Sequence, residues 1–139
     1  MATSDKVKGF TLVELLVVLV ILGLIAGLAG PRVLKYLGAA KSDTAMLQIE
    51  ELGAGLDLFY LELGRYPNSV EGLNALVNIP SQLPRWNGPY LRKSKIPPDP
   101  WGHPYNYKAP GEHGVYDLYT FGADNSEGGD GEDKDVVSW

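Results

Sequence analysis

The sequence predicts an α+β fold, in which a long N-terminal helix is packed by a small head with one short helix and a two- or three-stranded antiparallel sheet. Apolar residues recur at helical spacing through the first half of the chain, whereas nearly all of the ten prolines follow residue 66. Two short aromatic-rich segments near the C-terminus flank a turn with proline and glycine. With 139 residues, the chain suffices for one small domain and an apolar segment, but not for two full domains.

Residues 10–29 form an apolar run that carries a single charge, Glu14. As a helix this run would be about 30 Å long, which is the thickness of the hydrocarbon core of a bilayer. Lys6 and Lys8 lie just before it, which predicts a cytoplasmic N-terminus and a C-terminal body that crosses the membrane. A carboxylate in hydrocarbon costs about 2.5 kcal/mol or more, so Glu14 is expected to have a partner.

Two simpler interpretations of this run leave Glu14 unexplained. The run could be the core of a cleaved secretory signal, with residues 27–29 as a small-x-small site, although such cores are usually about 7–15 residues long. It could also be an ordinary signal anchor.

The helical pattern continues beyond the apolar run as an amphipathic helix that ends near Gly64. Pro31 removes a backbone donor, which predicts a kink or a local opening; a continuous, bent helix is the alternative for an isolated subunit. Taken as one helix, residues 10–63 would be about 80 Å long. The predicted apolar face of its second half consists of Leu37, Ala40, Thr44, Leu47, Leu52, Leu56, Phe59 and Leu63.

The head begins with a predicted short helix that starts at Asn68 and is capped by Glu71. A long connection follows, which is expected to be pinned by Trp86, Tyr90 and Trp101. The predicted strands are residues 105–108, 115–121 and, at the end of the chain, 135–139.

The net charge of −5 lies entirely in residues 121–139, which hold six acids and one base, Lys134. A neutral body with an acidic tail lacks the basic surface that nucleic acids bind. The absence of cysteine excludes disulfides, thiolate metal sites and a cysteine nucleophile. His103 and His113 are expected in turns or on the surface, and no spacing of Ser, His, Asp or Glu predicts catalysis, so an enzyme is not predicted.

The acidic tail is predicted to fold, although six acids in a short segment often form a solvated, disordered tail. Aromatic residues lead into it, and Val136, Val137 and Trp139 follow it and favour burial. Like charges in one folded loop need a cation, and hard oxygen ligands without cysteine favour Ca²⁺ over zinc. An EF-hand is not predicted, because the third and fifth positions of such a loop are poorly matched and the flanks are strand-like.

Residues 9–14 read Gly-Phe-Thr-Leu-Val-Glu and, with the apolar run, resemble the class III signal of type IV pilin-like proteins. The motif joins a glycine before the cut, an apolar first residue and a glutamate at the fifth mature position. Three further segments are similar to the major pseudopilins of type II secretion systems, the general secretion pathway protein G family. They are Arg65-Tyr66-Pro67 with Glu71-Gly72-Leu73, Pro98-Asp99-Pro100-Trp101-Gly102 with Pro104-Tyr105, and Phe121-Gly122-Ala123-Asp124 before the acidic tail that ends in Trp139.

The resemblance covers the whole chain and implies a leader of residues 1–9, a transmembrane or filament-core segment of residues 10–30 and a periplasmic head of residues 31–139. The prepilin peptidase of the bacterial inner membrane would cut between Gly9 and Phe10 and N-methylate Phe10. The single-pass subunit would leave membrane lipid and polymerise with minor pseudopilins, through an inner-membrane assembly platform powered by a cytoplasmic ATPase. The product would be a short periplasmic filament that drives export of folded proteins across the outer membrane.

Cleavage would also create a charged α-amino group on Phe10. In a bilayer this amine and the Glu14 carboxylate of a neighbouring subunit each lack a partner. Pairing them removes two desolvation costs and sets the axial register of the subunits. Phe10 and Glu14 are therefore the predicted assembly residues.

The resemblance further implies a Ca²⁺ ion in the acidic tail. Its expected ligands are the backbone carbonyl of Phe121 and the side chains of Asp124, Asp133 and Asp135. The loop is a few residues longer than in some relatives, which leaves the middle ligands open, with Ser126, Glu127 and Asp130 as candidates. The ion would fasten the C-terminal segment in place of a disulfide.

Two alternative functions stay open from the sequence. One is a type IVa pilus subunit, which would form long surface fibres; the missing cysteines and the motifs at residues 99–102 and 121–124 argue against it. The other is a membrane-anchored periplasmic Ca²⁺-binding module that does not polymerise.

Overall fold

The structure is a computed structural model that describes residues 9–139. It confirms the α+β fold. The elements in chain order are α1 (Leu12–Leu63), a 3₁₀ helix (Leu73–Leu76), β1 (Asn106–Lys108), β2 (Asp117–Thr120), a second 3₁₀ helix (Gly131–Asp133) and β3 (Val136–Val137).

α1 contains 52 residues and stays helical through Pro31. The predicted local opening at this proline is therefore absent from the described chain, which adopts the alternative of a continuous helix. A proline inside a helix removes one backbone hydrogen bond and crowds the preceding turn, and α1 accommodates Pro31 without a break in its helical assignment.

The chain divides into two compact units, the first ending at Tyr36 and the second spanning Leu37–Trp139. In the first unit the described residues carry exposed apolar side chains, from 48% exposure for Val17 to 88% for Phe10. By length and composition, α1 is the one helix among residues 9–139 that could span a membrane, and its most apolar stretch is wholly exposed.

The second unit has its own hydrophobic core. α1 contributes Ala45, Ile49, Leu52, Leu56 and Phe59, all of them at most 3% exposed. Their spacing of three and four residues places them on one helical face. The remaining core side chains are Leu73, Ala75, Leu76, Leu91, Tyr105, Leu118 and Val136.

The predicted face of α1 is correct from Leu52 onward and wrong before it. Leu37 and Leu47 are more than half exposed, and the residues that face the head there are the smaller Gly38 and Ala45. A Cβ atom at Gly38 would lie 2.3 Å from Cγ of Glu132, so a side chain from the C-terminal segment already fills this space. A large apolar residue would not fit against it.

The predicted cap at Asn68 forms, but the helix that follows is a single 3₁₀ turn rather than an α-helix. Oδ1 of Asn68 accepts a hydrogen bond from the backbone N–H of Glu71, and the Glu71 carboxylate accepts one from the backbone N–H of Asn68, both at 2.9 Å. Gly72 then adopts φ 58°, a left-handed conformation that interrupts helical geometry. The helical turn therefore begins only at Leu73.

The three predicted strands are present and form one antiparallel sheet in the order β1-β2-β3. The pairs Tyr107–Leu118 and Thr120–Val136 show the register of its two ladders. β2 is central and buries Leu118 and Thr120 almost completely. Each strand is shorter than predicted, because turns and bends replace pairing at the ends.

The three aromatic pins of the long connection are confirmed. Nε1 of Trp86 donates a hydrogen bond to the carbonyl of Ala75 at 2.8 Å. Oη of Tyr90 donates one to Glu62 of α1 at 2.6 Å. Nε1 of Trp101 donates one to Oε2 of Glu132 at 3.2 Å, which connects this segment to the acidic C-terminal region.

Candidate functional site

The predicted processing residues lie just before α1. Gly9 and Phe10 are exposed and precede the helix, whose first residue is Leu12. A Cβ atom at Gly9 would meet no atom within 4 Å. Within the described residues, the peptide bond between Gly9 and Phe10 is therefore exposed, as cleavage by a peptidase requires.

Glu14 caps the start of α1 together with Thr11. The backbone N–H of Thr11 donates to Oε2 of Glu14 at 2.8 Å, and the backbone N–H of Glu14 donates to Oγ1 of Thr11 at 3.2 Å. The Thr11 hydroxyl also donates to Oε2, at 3.1 Å. This reciprocal arrangement is a capping box, and the threonine three residues before a glutamate was the sequence signal for it.

The cap changes the electrostatic argument about Glu14. The carboxylate has partners within its own first turn, where it also interacts favourably with the N-terminal end of the helix dipole. Both accepted hydrogen bonds use Oε2, and within residues 9–139 Oε1 accepts none. The second oxygen is therefore available to a donor from another molecule without loss of the cap.

The acidic loop, defined as residues 121–135, is closed at its base by backbone contacts. The N–H of Ala123 donates to the carbonyl of Glu132 at 2.9 Å, so the start and the end of the loop are joined directly. Gly122 has φ 72°, and a Cβ atom there would lie 2.6 Å from the same carbonyl oxygen. A residue with a side chain would not fit in this conformation at this position.

The candidate ligands occupy different parts of this loop. Oδ1 of Asp124 accepts a hydrogen bond from the N–H of Ser126 at 3.0 Å. Both carboxylate oxygens of Asp135 lie near the N–H of Gly128, at 3.1 and 3.0 Å. Phe121, Glu127 and Asp135 line one groove of about 230 Å³.

The remaining two candidates lie near the end of the loop. Asp130 is exposed, and its carbonyl accepts a hydrogen bond from the N–H of Asp133 at 3.1 Å. Asp133 is partly buried and packs close to Gly129, where a Cβ atom would lie 2.9 Å from that of Asp133.

The donor chemistry of the loop fits Ca²⁺, because carboxylate, hydroxyl and backbone oxygens are the ligands that this ion prefers. The positions of the carboxylates fit only in part. Among residues 9–139, no three Asp, Glu, His or Cys side chains form a group that could hold a metal ion. Asp124, Asp133 and Asp135 thus share one loop with a fixed base, and their carboxylates do not converge on one point.

Glu132 belongs to the same loop but points away from it, toward α1. Its Oε2 accepts the hydrogen bond from Trp101 and lies 3.7 Å from Nζ of Lys41. Sequence reasoning did not predict this role, because the partners are about 31 and more than 90 residues away along the chain. The glycine at position 38, which leaves space for this side chain, was the one local signal.

The turn of residues 99–103 holds the predicted pin Trp101 and contains in addition a buried carboxylate. Asp99 is 3% exposed. Its Oδ1 accepts from the backbone N–H groups of Trp101 and His103 at 3.0 and 2.8 Å, and its Oδ2 accepts from Oγ1 of Thr120. These contacts compensate the cost of burying the charge.

The two histidines lie in turns, as predicted, and each faces an aspartate. Nδ1 of His103 is 3.8 Å from Oδ2 of Asp99. Nδ1 of His113 is 3.2 Å from Oδ2 of Asp117, and the His113 ring stacks on Trp139 at a centroid distance of 3.9 Å. Nδ1 of His103 makes no hydrogen bond among the described residues, whereas the His113 pair forms one across its turn, and neither pair has a nucleophile beside it there.

Arg65 and Glu71 form the best-defined ion pair of the head. The two guanidinium nitrogens of Arg65 donate to the two carboxylate oxygens of Glu71 at 2.7 and 2.8 Å. The hydrogen bonds from Arg65 lower the pKa of Glu71, and the bond from the backbone of Asn68 lowers it further against the opposing effect of burial. This pair ties the segment after α1 to the capped turn that follows.

Comparison with known families matches almost the whole chain. Residues 32–139 match the family described as "Type II secretion system (T2SS), protein G". Residues 4–30 match the "Prokaryotic N-terminal methylation motif". The boundary between the two matches lies at Pro31, where the apolar run ends.

Similar proteins from several bacteria are named type II secretion system core protein G. The protein of Pseudomonas aeruginosa is 45% identical over 136 residues, which cover 95% of this chain and 94% of the relative. The protein of Vibrio cholerae is 39% identical over 142 residues, which cover 100% and 96%. The protein of Escherichia coli K12 is 37% identical over 142 residues, which cover 100% and 95%.

The fold is similar to a solved structure as well. The crystal structure of the major pseudopilin from the type 2 secretion system of enterohaemorrhagic Escherichia coli matches with a TM-score of 0.60 and 30% identity. The match covers 73% of this chain and 88% of that structure. The chain therefore belongs to the type II secretion system protein G family, a family of structural secretion-system subunits.

Proposed function

We propose that this chain is the major structural subunit of a type II secretion pseudopilus. It is cut between Gly9 and Phe10 by prepilin peptidase, N-methylated on Phe10 and polymerised into a short periplasmic filament that drives export of folded proteins across the outer membrane. The observation that carries the proposal is the apolar segment that follows the processing motif, because its side chains are exposed while the head buries a core of its own. Such a segment requires lipid or other copies of itself.

The same observation supports a location in the membrane before assembly. The subunit is held in the inner membrane by one span, with its head in the periplasm, and leaves the lipid as the filament grows. The lysines before the apolar run favour this orientation. The filament core then replaces the lipid as the apolar environment of residues 10–30.

The partners follow from this assembly. They are other copies of the chain, minor pseudopilins, the inner-membrane assembly platform and prepilin peptidase. The subunit has a structural role and is not an enzyme. Its acidic tail and neutral body do not favour nucleic acid.

We also propose that the acidic loop takes up a Ca²⁺ ion through the carbonyl of Phe121 and the carboxylates of Asp124, Asp133 and Asp135, with Ser126, Glu127 or Asp130 completing the shell. Three features support this. The loop offers carboxylate, hydroxyl and backbone oxygens, its base is fixed by the bond between Ala123 and Glu132, and it carries a net charge of −5. When bound, the ion supplies the charge that allows the carboxylates to approach one another.

The proposed function is tested by expressing the chain in a bacterium that has a type II secretion system but lacks its own protein G. We expect the mature protein to begin with N-methylated Phe10 in mass spectrometry, and electron microscopy of overexpressing cells to show short periplasmic filaments. Secretion of the exported proteins should be restored.

Other results would contradict the proposal. A mature protein that starts at Gly30 would indicate a secretory signal, and a start at Met1 or Ala2 an ordinary anchor. Long surface fibres would indicate a type IVa pilus subunit. Correct processing without any filament would indicate a membrane-anchored module that does not polymerise.

A further inference from the structure

The start of the acidic loop is attached to the 99–103 turn through Thr120. Oγ1 of Thr120 donates to Oδ2 of Asp99 and accepts from the backbone N–H of Gly122 at 3.3 Å. Thr120 is 1% exposed and Asp99 is 3% exposed, so water does not compete with these bonds. The peptide group between Phe121 and Gly122, whose carbonyl is the predicted ligand, is thereby held against the turn.

The end of the loop is attached to the same turn through Glu132. Oε2 of Glu132 accepts from Nε1 of Trp101 at 3.2 Å and lies 3.7 Å from Nζ of Lys41. The side chain lies over Gly38 of α1, in space that a Cβ atom would enter. A loop residue is thus fixed to α1 and to the turn by one carboxylate.

We propose that the 99–103 turn is a positioning element for the acidic loop, which it holds at both ends, through Asp99 and Thr120 at the start and through Trp101 and Glu132 at the end. Glu132 acts as an anchor and not as a ligand. The first consequence is that the ends of the loop are held in position with or without an ion. The second consequence, tighter binding of Ca²⁺, rests on the proposed function.

The anchor role of Glu132 follows from what surrounds its carboxylate. Oε2 already has an indole N–H and a lysine ammonium as partners. A bound Ca²⁺ would have to displace both from that oxygen and would stand close to the positive charge of Lys41. The five other acids of residues 121–139 have no such contact with α1 among the described residues.

Gly38 gives a way to release the anchor from a distance. Substitution Gly38→Ala places a Cβ atom 2.3 Å from Cγ and 2.7 Å from Oε1 of Glu132, so the glutamate side chain must move. Position 38 cannot itself bind a cation through an alanine side chain, and alanine favours the helix. Any effect on the loop must therefore pass through Glu132.

Trp101→Phe releases the anchor from the other side. It removes the Nε1–H donor and leaves an aromatic ring, while the backbone N–H that binds Asp99 is kept. The matched control is Gly53→Ala on the same helix, where a Cβ atom would lie 3.2 Å from Oη of Tyr116 and would not contact Glu132. Circular dichroism melts check that all three variants remain folded.

The experiment uses the full chain purified in detergent. In calcium-free buffer, we expect the amide of Ala123 to exchange with deuterium about tenfold faster in Gly38→Ala and Trp101→Phe, as for loss of one hydrogen bond to a charged group. In calcium titrations by calorimetry, the Kd for Ca²⁺ should rise by about tenfold in both variants. Loss of a residue that orients metal ligands usually weakens metal binding by this factor or more. Gly53→Ala should behave as the wild type in both measurements.

The two readouts separate the two proposals. Unchanged exchange at Ala123 in both variants would overturn the positioning role of the turn, whether or not calcium binds. Faster exchange at Ala123 in both variants, together with no Ca²⁺ binding by the wild-type chain in the titration, would support the turn as an anchor of the loop and contradict the calcium site. Faster exchange with a raised Kd supports both.

Discussion

The two compact units differ in what they need from outside the chain. In the first unit the apolar side chains are exposed and the single carboxylate, Glu14, is satisfied by its own helical turn. The second unit buries an apolar core of its own, and its acidic loop concentrates the negative charge of the chain. The first unit thus needs an apolar environment from outside the chain, and for the second we have proposed a cation.

From this difference we predict that assembly and stability have separate determinants in this chain. Other subunits or lipid can supply the apolar environment but not the charge of an ion within the loop. A cation can fasten the loop but cannot cover the helix. Substitutions in the first unit should therefore abolish filaments and leave the head stable. Substitutions in the acidic loop should instead destabilise the head and leave filament formation largely intact.

The largest effect is expected at Glu14. Glu14→Gln should be cut normally but should reduce filament yield by more than tenfold, because the amide keeps the capping geometry and loses the charge that pairs with the amine of Phe10. Immunoblots of sheared or cross-linked filaments measure the yield, and mass spectrometry measures processing. Glu14→Ala should give the same loss.

The matched control for this prediction is Thr11→Val, which removes the hydroxyl of the capping box and keeps the carboxylate. Loss of such a cap costs about 1 kcal/mol of local helix stability. If Thr11→Val abolishes filaments while Glu14→Gln forms them, the role of Glu14 is that of a cap and the charge-pairing argument is wrong.

A smaller effect is expected at the acidic loop. Chelation of calcium by EDTA should lower the Tm of the head, residues 33–139, by about 10 °C if the ion is otherwise present at a hundred times its Kd. Asp124→Ala should abolish this response. The substitution also removes the hydrogen bond that Asp124 accepts from the N–H of Ser126. The Tm values with and without calcium are therefore compared within each variant, and not from one variant to the other.

Glu50→Ala is the control for the loop, since Glu50 is an exposed acid on α1 outside residues 121–135. It should keep the full response to EDTA. If the Tm of the wild-type head does not change on chelation, the calcium site is contradicted. The proposal that a cation stabilises the second unit would then be wrong.

Much of the fold was predictable because its signals are local. The apolar run, the spacing of Leu52, Leu56 and Phe59 and the three strand segments each follow from residues near one another in sequence. The face of α1 before residue 50 was mispredicted in part because Gly38 faces the head and leaves space for Glu132, which lies far along the chain. Ala45 and Ile49 continue the same buried face. Periodicity alone favoured the larger leucines.

The candidate sites were predictable to a different degree. The processing motif is contiguous, and even the capping role of Thr11 could have been read from its spacing to Glu14. The buried carboxylate of Asp99 and the anchor at Glu132 could not, because their partners Thr120 and Trp101 are 21 and 31 residues away. Such contacts depend on the packing of the sheet and the turn and leave no periodic signal.

The smallest effect is expected within the head, at the ion pair of Arg65 and Glu71. Arg65 lowers the pKa of Glu71 below its ordinary value of 4.5, so the pair stabilises the fold above pH 4.5 and loses this contribution as the pH falls through the lower, folded pKa. Because Arg65 is partly exposed, the contribution should be about 1 kcal/mol or less. Urea unfolding at neutral and acidic pH measures it.

Glu71→Gln should remove that part of the pH dependence and keep the cap on Asn68, since an amide oxygen can still accept the hydrogen bond. The control is Glu112→Gln, in which the lost partner Lys108 is exposed and the pair is more strongly screened by solvent. Only the difference between each variant and the wild type is interpreted. If Glu71→Gln keeps the wild-type pH dependence, the pair of Arg65 and Glu71 contributes nothing measurable to it, and this prediction is wrong.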